Sequence, residues 1–313
     1  MQTKAIRRVA AIDIGTNSVR LARGVMNDGR FCMEQKDLET TRIGEGTTTT
    51  DRLSDEPMRR TADAVAFFAR QAADSGYALL GAYATSAVRE APNKDEFLAL
   101  CRARGVEVEV LSGHAESAVA YYGAAQGKAG VCAVADIGGG STELSFGRDG
   151  RLEFGQSARV GAVRMREMFA KDDGSLDDAA YDALLAHVKS ALLPIAEKIP
   201  KGAALIGVGG TFTSLAAMQQ RLTVYDPARV QDFSLRADDI ESFSRMLCRM
   251  SMEQRLALPG LKKKRADIMP CAAVIARAVM ETVDADAICV SERDGLEGYA
   301  QAKAIGILER LID

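Results

Sequence analysis

The sequence has 313 residues, with 40 basic and 43 acidic side chains and a formal net charge of -3. Hydrophobic residues make up 47%, which excludes a disordered chain, and the balanced charge argues against a broadly basic surface for nucleic acid or membranes. Only two histidines are present, His114 and His187, which excludes a His-rich metal centre and leaves a Ser–His–Asp triad two candidate bases. The length predicts about two domains.

The N-terminal segment, MQTKAIRRVAAIDIG, predicts a first β-strand. Asp13 interrupts its apolar run and no small-residue cleavage site follows, so we do not expect a signal peptide. The six cysteines are scattered without a C-x-x-C pair, which is typical of reduced thiols. We therefore expect a cytoplasmic protein with no membrane partner.

Strand-like and helix-like segments alternate along the chain, and most strands are followed by Gly or Ser. This order predicts an α/β fold with parallel or mixed sheets. The strand-like runs are 7–15, 18–26, 78–85, 106–113, 130–139, 142–150, 204–210 and 286–292, and the amphipathic helices are 54–76, 92–105, 177–199 and 295–312. We expect the first of these helices to begin after Ser54 and to end at Gly76.

Two segments of the chain resemble each other. Residues 9–21, VAAIDIGTNSVRL, align with residues 132–144, CAVADIGGGSTEL, and the alignment places Asp13 on Asp136. Each predicts an apolar strand, a tight turn rich in Gly, Ser, Thr or Asn, and a second strand. The repeat therefore predicts two related domains that face each other across a cleft.

The two Asp-Ile-Gly turns have the composition of phosphate-binding loops. Glycine lets a phosphate approach the backbone N–H groups, and short polar side chains add donors. Asp13 and Asp136, each at a strand end, are placed to bind a divalent cation. The alternative is a pair of hairpins in which each Asp only caps a turn.

A third glycine turn follows another apolar strand, in the segment IGVGGTFTSLAAM. Gly209, Gly210 and Thr211 open a predicted helix there, so backbone N–H groups and the helix dipole favour an anion. The alternative is a turn whose glycines only allow close packing of strand and helix. The spacing matches neither a dinucleotide-binding fingerprint nor a Walker loop.

Six motifs in this order resemble the exopolyphosphatase / guanosine-pentaphosphate phosphohydrolase (Ppx/GppA) family over nearly the whole chain. This family belongs to the superfamily of actin-like, sugar-kinase and Hsp70-type ATPases. The resemblance implies two actin-like (ribonuclease H-like) α/β domains with the active site in the cleft between them. The motifs are DIGTNSVRL, ATSAVREA, LSGHAESAVAYYG, DIGGGSTEL, GVGGTFTSLAA and VSERDGLEGYA.

The resemblance implies a role for each matching residue. The catalytic general base of the family falls on Glu116, although an acid near a helix start is also typical of a capping box. The acids that hold Mg²⁺ fall on Asp136 and Glu143. The phosphate-binding residues fall on Thr16, Asn17, Ser18, Arg20, Arg89, Gly138, Gly139, Gly140 and Ser141. Either arginine, taken alone, is more often an ordinary surface residue.

The implied activity is hydrolysis of the terminal phosphoanhydride of inorganic polyphosphate, and also of pppGpp, with Mg²⁺ or Mn²⁺ as cofactor. We expect domains at 1–126 and 127–297, with a C-terminal helix at about 298–313 that packs back on the first domain. We also expect the short two-domain form of the family, a homodimer and no nucleic-acid partner.

Two other functions remain open. The same superfamily contains nucleotide-binding ATPases and kinases, and a phosphate- or alarmone-binding sensor would use the same loops. The basic run LKKKR at 261–265 is either a solvated loop or a rim that guides a polyanion.

Overall fold

The computed structural model describes residues 7–312, so the first six residues of the predicted N-terminal strand and Asp313 lie outside the described residues. The described chain up to residue 124 forms five strands and five helices. These are β1 Arg7–Ile14, β2 Val19–Asn27, β3 Arg30–Glu39, α1 Thr47–Thr50, α2 Asp55–Asp74, β4 Ala78–Ala84, α3 Ser86–Glu90, α4 Lys94–Arg102, β5 Val108–Val110 and α5 Gly113–Ala124.

The rest of the described chain adds six strands, nine helices and one 3₁₀ turn. They are β6 Val131–Ile137, β7 Thr142–Arg148, β8 Arg151–Ala158, α6 Ala162–Phe169, α7 Asp178–Ala196, β9 Ala204–Val208, α8 Gly209–Gln219, α9 Pro227–Val230, β10 Ser234–Arg236, α10 Ala237–Arg249, α11 Met252–Leu256, the 3₁₀ turn Lys263–Arg265, α12 Met269–Val283, β11 Ala287–Val290, α13 Gly295–Ile305 and α14 Leu308–Ile312.

The chain forms two compact units. The first comprises Met1–Gly123 and Gly295–Asp313, and the second comprises Ala124–Asp294. These divisions lie three residues before the expected boundaries, and α13 and α14 belong to the first unit. The expected cleft between two domains stays a prediction.

Each unit contains its own β-sheet, and the two sheets have the same strand order apart from one added strand. In the first unit the strand order is β3-β2-β1-β4-β5, and in the second β8-β7-β6-β9-β11 with β10 added at the edge. The first three strands of each sheet are antiparallel, and the next two are parallel to the first strand. A bulge interrupts the pairing after Arg23 in β2 and after Phe146 in β7, which are equivalent positions of the repeat. The predicted α/β class is confirmed, and so are the two predicted strand–turn–strand units at 9–21 and 132–144.

Continuous apolar runs form the central strands because both faces of each sheet are covered. In β1, Ile12 packs on one face with α2 and α4, while Ala11 packs on the other face with α5 and α13. The edge strands β3 and β8 are mostly polar and only half-buried, so their apolar patterning was too weak to predict them.

The helix predictions are mostly confirmed. Helix α2 follows Ser54, although the Ser54 side chain makes no capping hydrogen bond, and Gly76 adopts a φ of 76° after its end. The single helix predicted over 295–312 is wrong. Gly306 adopts a φ of 73° there, a left-handed conformation that ends α13 and leaves α14 as a separate short helix.

All six cysteines are free thiols. None of the helices within residues 7–312 has the length and apolar character needed to cross a bilayer.

Candidate functional site

The turn between β1 and β2 is closed by backbone hydrogen bonds. The Gly15 N–H donates to the Ser18 carbonyl at 3.0 Å. The carbonyl groups of Thr16 and Asn17 accept from the N–H groups of Gly44 and Arg42, at 3.0 and 2.9 Å. The carbonyl side of the turn is therefore held by the segment 42–44.

Three side chains of this turn, Thr16, Asn17 and Ser18, are each more than nine-tenths buried. The hydroxyl groups of Thr16 and Ser86 share a hydrogen bond of 3.0 Å. The Oδ1 atom of Asn17 is buried without a hydrogen-bond partner among residues 7–312. A buried amide in this state marks a position that a polar ligand can complete, with either its oxygen or, after a flip, its NH₂ group.

The turn between β6 and β7 repeats this geometry. The Gly138 N–H donates to the Ser141 carbonyl at 3.0 Å, as Gly15 does to Ser18. The first residues of α6 hold its carbonyl groups: Ala162 N–H donates to Gly138 at 2.9 Å, and Val163 N–H to Gly139 at 2.8 Å. The two turns thus share both their closing bond and their mode of support.

Additional contacts fix the second turn against α6. The Arg164 Nε group donates to the Gly140 carbonyl at 2.9 Å. A Cβ at Gly161 would lie 2.5 Å from backbone atoms of Gly139 and Gly140, so only glycine permits this approach. Neither Arg164 nor Gly161 is predicted from the sequence, because both lie outside the motifs.

One pair of equivalent positions beside the two turns carries opposite charges, Arg20 in the first unit and Glu143 in the second. In β1 and β2, Asp13 lies directly across from Arg20, and the Arg20 Nε group donates to Asp13 Oδ2 at 2.7 Å. In β6 and β7, Asp136 lies directly across from Glu143. Since directly opposed residues of an antiparallel pair face the same side of a sheet, the second unit places two carboxylates on one face.

These carboxylates and Asp13 are the predicted ligands of a cation. Among residues 7–312, no group of three or more His, Cys, Asp or Glu side chains is arranged to hold a metal ion. Asp136 and Glu143 lie in the second unit, whereas Asp13 lies in the first unit with Arg20 against it. The structure therefore does not bring the three predicted metal ligands together within one unit.

The Asp136–Glu143 pair fits a hydrated hard cation, which proteins bind through one or two carboxylates and several waters. The Glu143 Oε1 atom accepts hydrogen bonds from the hydroxyl groups of Ser141 and Ser157, both at 2.7 Å. Such bonds orient ligating carboxylates. Gly209 adopts a φ of 79°, and a Cβ there would lie 2.6 Å from Asp136 Oδ1, so glycine keeps the space beside this carboxylate open.

The third glycine turn begins α8, as predicted. Its glycines have different roles: a Cβ at Gly207 would meet Phe212 and Ile288, so this glycine serves close packing. A Cβ at Gly210 would overlap the guanidinium group of Arg265. The Thr211 hydroxyl donates to the Ile137 carbonyl at 3.3 Å and is buried, so it links α8 to β6.

Arg265, which the sequence marks only as part of the basic run, therefore lies against the third turn. It is the last residue of the basic run 261–265 and is half-buried, while Lys262, Lys263 and Lys264 are exposed. The Lys262 Nζ atom lies 4.5 Å from the centre of the Tyr225 ring. The basic run thus divides into three exposed lysines and one arginine at the third turn.

Glu116 lies in the first turn of α5. The Ser112 side chain caps this helix by accepting from the Ala115 N–H at 3.0 Å, and the Glu116 N–H donates to the Ser112 carbonyl at 2.9 Å. The Glu116 carboxylate instead accepts from Arg89 Nη1 at 2.6 Å. The capping-box interpretation of Glu116 is therefore wrong: the third residue after the capping Ser112 is Ala115, and Gly113 has no side chain that could cap the helix.

The Arg89–Glu116 ion pair is largely buried, with 19% and 14% of the side chains exposed. The same Arg89 Nη1 atom donates to the Leu111 carbonyl at 3.0 Å. Burial raises the pKa of Glu116, Arg89 opposes this effect, and the negative charges of Asp13 and Glu90 add to the rise. A carboxylate with a raised pKa is better matched to proton abstraction near neutral pH.

The sequence was compared with models of protein families to establish its family. The model of the Ppx/GppA phosphatase family matches residues 25–301. The chain belongs to the Ppx/GppA phosphatase family. The family resemblance predicted from the six motifs is confirmed.

Two relatives of this Ppx/GppA protein are enzymes with different named activities. Exopolyphosphatase 2 of Mycobacterium tuberculosis is 32% identical, with 96% of this chain and 99% of that protein covered. The guanosine-5'-triphosphate,3'-diphosphate pyrophosphatase of Vibrio vulnificus is 30% identical over 93% of this chain and 58% of its own length.

Solved structures agree with the family assignment. A Ppx/GppA family member of Aquifex aeolicus superimposes with a TM-score of 0.80 at 27% identity, covering 96% of this chain and 98% of that one. An exopolyphosphatase of Cytophaga hutchinsonii gives a TM-score of 0.85 at 25% identity, covering 96% and 99%. The α/β fold of this Ppx/GppA chain is therefore that of its family.

Proposed function

We propose that this chain is an exopolyphosphatase that releases orthophosphate from the end of inorganic polyphosphate, with pppGpp as a second substrate. The observation that carries the proposal is the buried Glu116 carboxylate held by Arg89, in the same unit as the turn at 15–18. The exopolyphosphatase relative matched over 99% of its length supports polyphosphate as the main substrate.

The reaction needs few groups. The Glu116 carboxylate takes a proton from water, the water oxygen forms a bond to the terminal phosphorus, and the bond from that phosphorus to the bridging oxygen breaks. The products are orthophosphate and a polyphosphate one unit shorter. In this proposal Arg20 and Arg89 neutralise the negative charge that spreads over the phosphoryl oxygens.

The backbone supplies the remaining anion contacts. Because segment 42–44 and α6 hold the carbonyl groups of the two hairpin turns, the N–H groups of those turns are the ones to bind phosphate. In the second unit Gly139, Gly140 and Ser141 supply them, whereas the Gly138 N–H closes the turn on the Ser141 carbonyl. Gly209 and Gly210, at the start of α8, add a helix N-terminus, and Arg265 adds a positive charge against it.

In this proposal Asp136 and Glu143 would hold Mg²⁺, or Mn²⁺ in its place. The ion supplies charge neutralisation for the substrate phosphates. Ser141 and Ser157 orient Glu143 through their hydroxyl groups. Asp13 is the third predicted ligand, and its ion pair with Arg20 makes it the weakest of the three candidates.

A phosphate-release assay tests this function. We expect the purified protein with Mg²⁺ to release orthophosphate from long-chain polyphosphate, more slowly from pppGpp, and not from ATP. Release from ATP alone would instead support the nucleotide-binding ATPase or kinase-like alternative. Binding of polyphosphate or pppGpp without release would support the sensor. Size-exclusion chromatography with light scattering tests the proposed homodimer, and cell fractionation tests the cytoplasmic location.

The three exposed lysines of the basic run provide a further prediction. Changing Lys262, Lys263 and Lys264 together to Ala is expected to raise the KM for long-chain polyphosphate by about 3- to 10-fold at low salt, because a local positive field speeds the approach of a polyanion. The effect should fade at high salt, where such fields are screened. Steady-state kinetics at two salt concentrations measures both.

A matched control removes the same charge elsewhere. Lys171, Lys198 and Lys201 are also exposed, and their combined change to Ala should leave KM within about 2-fold of wild type. Equal KM values for wild type and the 262–264 variant at low salt would show that these lysines form an ordinary solvated loop.

A further inference from the structure

Helix α13 is packed unusually closely against the helix that carries Glu116. A Cβ at Gly298 would overlap the carbonyl oxygen of Val119 and lie 2.8 Å from the Gly123 nitrogen, both in α5. Real Cβ atoms essentially never come within 3.0 Å of such atoms. Val119 lies one helical turn after Glu116, so Gly298 sets the distance between the two helices next to the catalytic residue.

The next residue of α13 contacts the strand that leads to Arg89. The ring of Tyr299 lies 4.5 Å from the ring of Tyr83, centre to centre. Tyr83 is the penultimate residue of β4, and α3 with Arg89 follows that strand. Gly81 in β4 leaves room for Tyr299, since a Cβ at Gly81 would overlap the Tyr299 hydroxyl.

Tyr299 also holds the strand that leads to α5. Its hydroxyl donates to Glu109 Oε1 at 3.2 Å, and Lys303 pairs with the same carboxylate. Glu109 is in β5, two residues before Leu111, whose carbonyl accepts from Arg89. One helix therefore contacts both segments from which Arg89 and Glu116 extend.

We propose that Gly298 and Tyr299 are positioning residues that hold α5, β4 and β5 so that Arg89 and Glu116 meet at 2.6 Å. Neither residue has to touch the substrate. The C-terminal α13, which enters the first unit after the whole second unit in sequence, thus acts on catalysis through the general base. The catalytic part of this inference rests on the proposed function.

A matched pair of glycines tests the inference. Gly298→Ala forces α13 and α5 apart, and because a misplacement of about 1 Å costs about 100-fold in rate, we expect kcat to fall by about 100-fold. KM should stay within about 2-fold, since the phosphate-binding turns are not displaced. Gly295→Ala is the control: its Cβ would lie 3.5 Å from Val119 Cγ2, an ordinary contact, so kcat and KM should both stay at wild-type values.

Tyr299→Phe keeps the ring on Tyr83 and removes only the hydrogen bond to Glu109. Without this bond β5 is held less firmly, so we expect kcat to fall by about fivefold, again without a change in KM. If Gly298→Ala does not fold, this variant decides the question. An unchanged kcat in Tyr299→Phe would then overturn the proposal.

Amide hydrogen exchange of residues 113–124 gives a readout that needs no activity. We expect faster exchange in Gly298→Ala than in Gly295→Ala, because the displaced α5 loses its packing. A wild-type protein that releases no phosphate would refute the proposed function, while equal exchange in the two variants would refute the positioning role. A wild-type kcat in folded Gly298→Ala, or a change in KM alone, would also refute that role.

Discussion

Replacing Glu116 by Gln is expected to lower kcat for polyphosphate hydrolysis by about 100-fold or more, within the range known for loss of a general base. Gln keeps the size of the side chain and an oxygen that can accept from Arg89, so the 2.6 Å contact and the fold should survive. Circular dichroism and thermal melting check the fold, and phosphate release under saturating substrate measures kcat.

Glu90→Gln is the matched control for this variant. Glu90 is on α3 next to Arg89, and its charge contributes only a minor part of the raised pKa of Glu116. Removing it should change kcat by less than about 3-fold. A Glu116→Gln enzyme with full activity would show that another group, or none, takes the proton from water.

The same carboxylate predicts a direction for the pH dependence. The base must be ionised to act, and burial raises the pKa of Glu116 above its usual value of 4.5. The kcat of the wild type should therefore fall as the pH drops through this raised pKa, at a higher pH than an exposed Glu would produce. In Glu116→Gln this acid limb should disappear from the residual activity.

The hairpin repeat shows how much of the site was readable from sequence. Aligning Asp13 with Asp136 predicted both hairpins and both turns, because the period-2 strands and the glycine turn are encoded locally. The same alignment places Arg20 on Glu143, and the strand register puts these residues opposite Asp13 and Asp136. The sequence thus already contained the charge difference between the two units, although its meaning for cation binding needed the register of the strands.

Contacts between distant segments were beyond sequence reasoning. Arg265 lies against Gly210, and Gly161 lies against the turn at 138–140, yet neither position belongs to a local motif. The Arg89 side chain, which binds the Glu116 carboxylate, is separated from it in the sequence by β5. Such pairings depend on how packed elements meet, which periodicity does not encode.

Replacing Asp136 by Asn tests the cation site directly. The amide has the size of the carboxylate, so it fits beside Gly209, but it removes one of two negative charges from the pair with Glu143. Loss of an outer-shell partner costs about 10- to 100-fold in metal affinity, so loss of a ligand should cost about 100-fold or more. Mn²⁺ binding followed by electron paramagnetic resonance measures this without relying on activity.

Two further variants grade the effect. Ser157→Ala removes one of the two hydroxyl groups that donate to Glu143 Oε1, and should weaken Mn²⁺ binding by about 10-fold. Asp182→Asn changes an exposed carboxylate on α7 and should have no effect. If Asp136→Asn binds Mn²⁺ as wild type does, the paired carboxylates are not the metal site. The charge neutralisation would then fall to Arg20, Arg89 and Arg265, because hydrolysis of a polyanion still needs positive charge at the terminal phosphate.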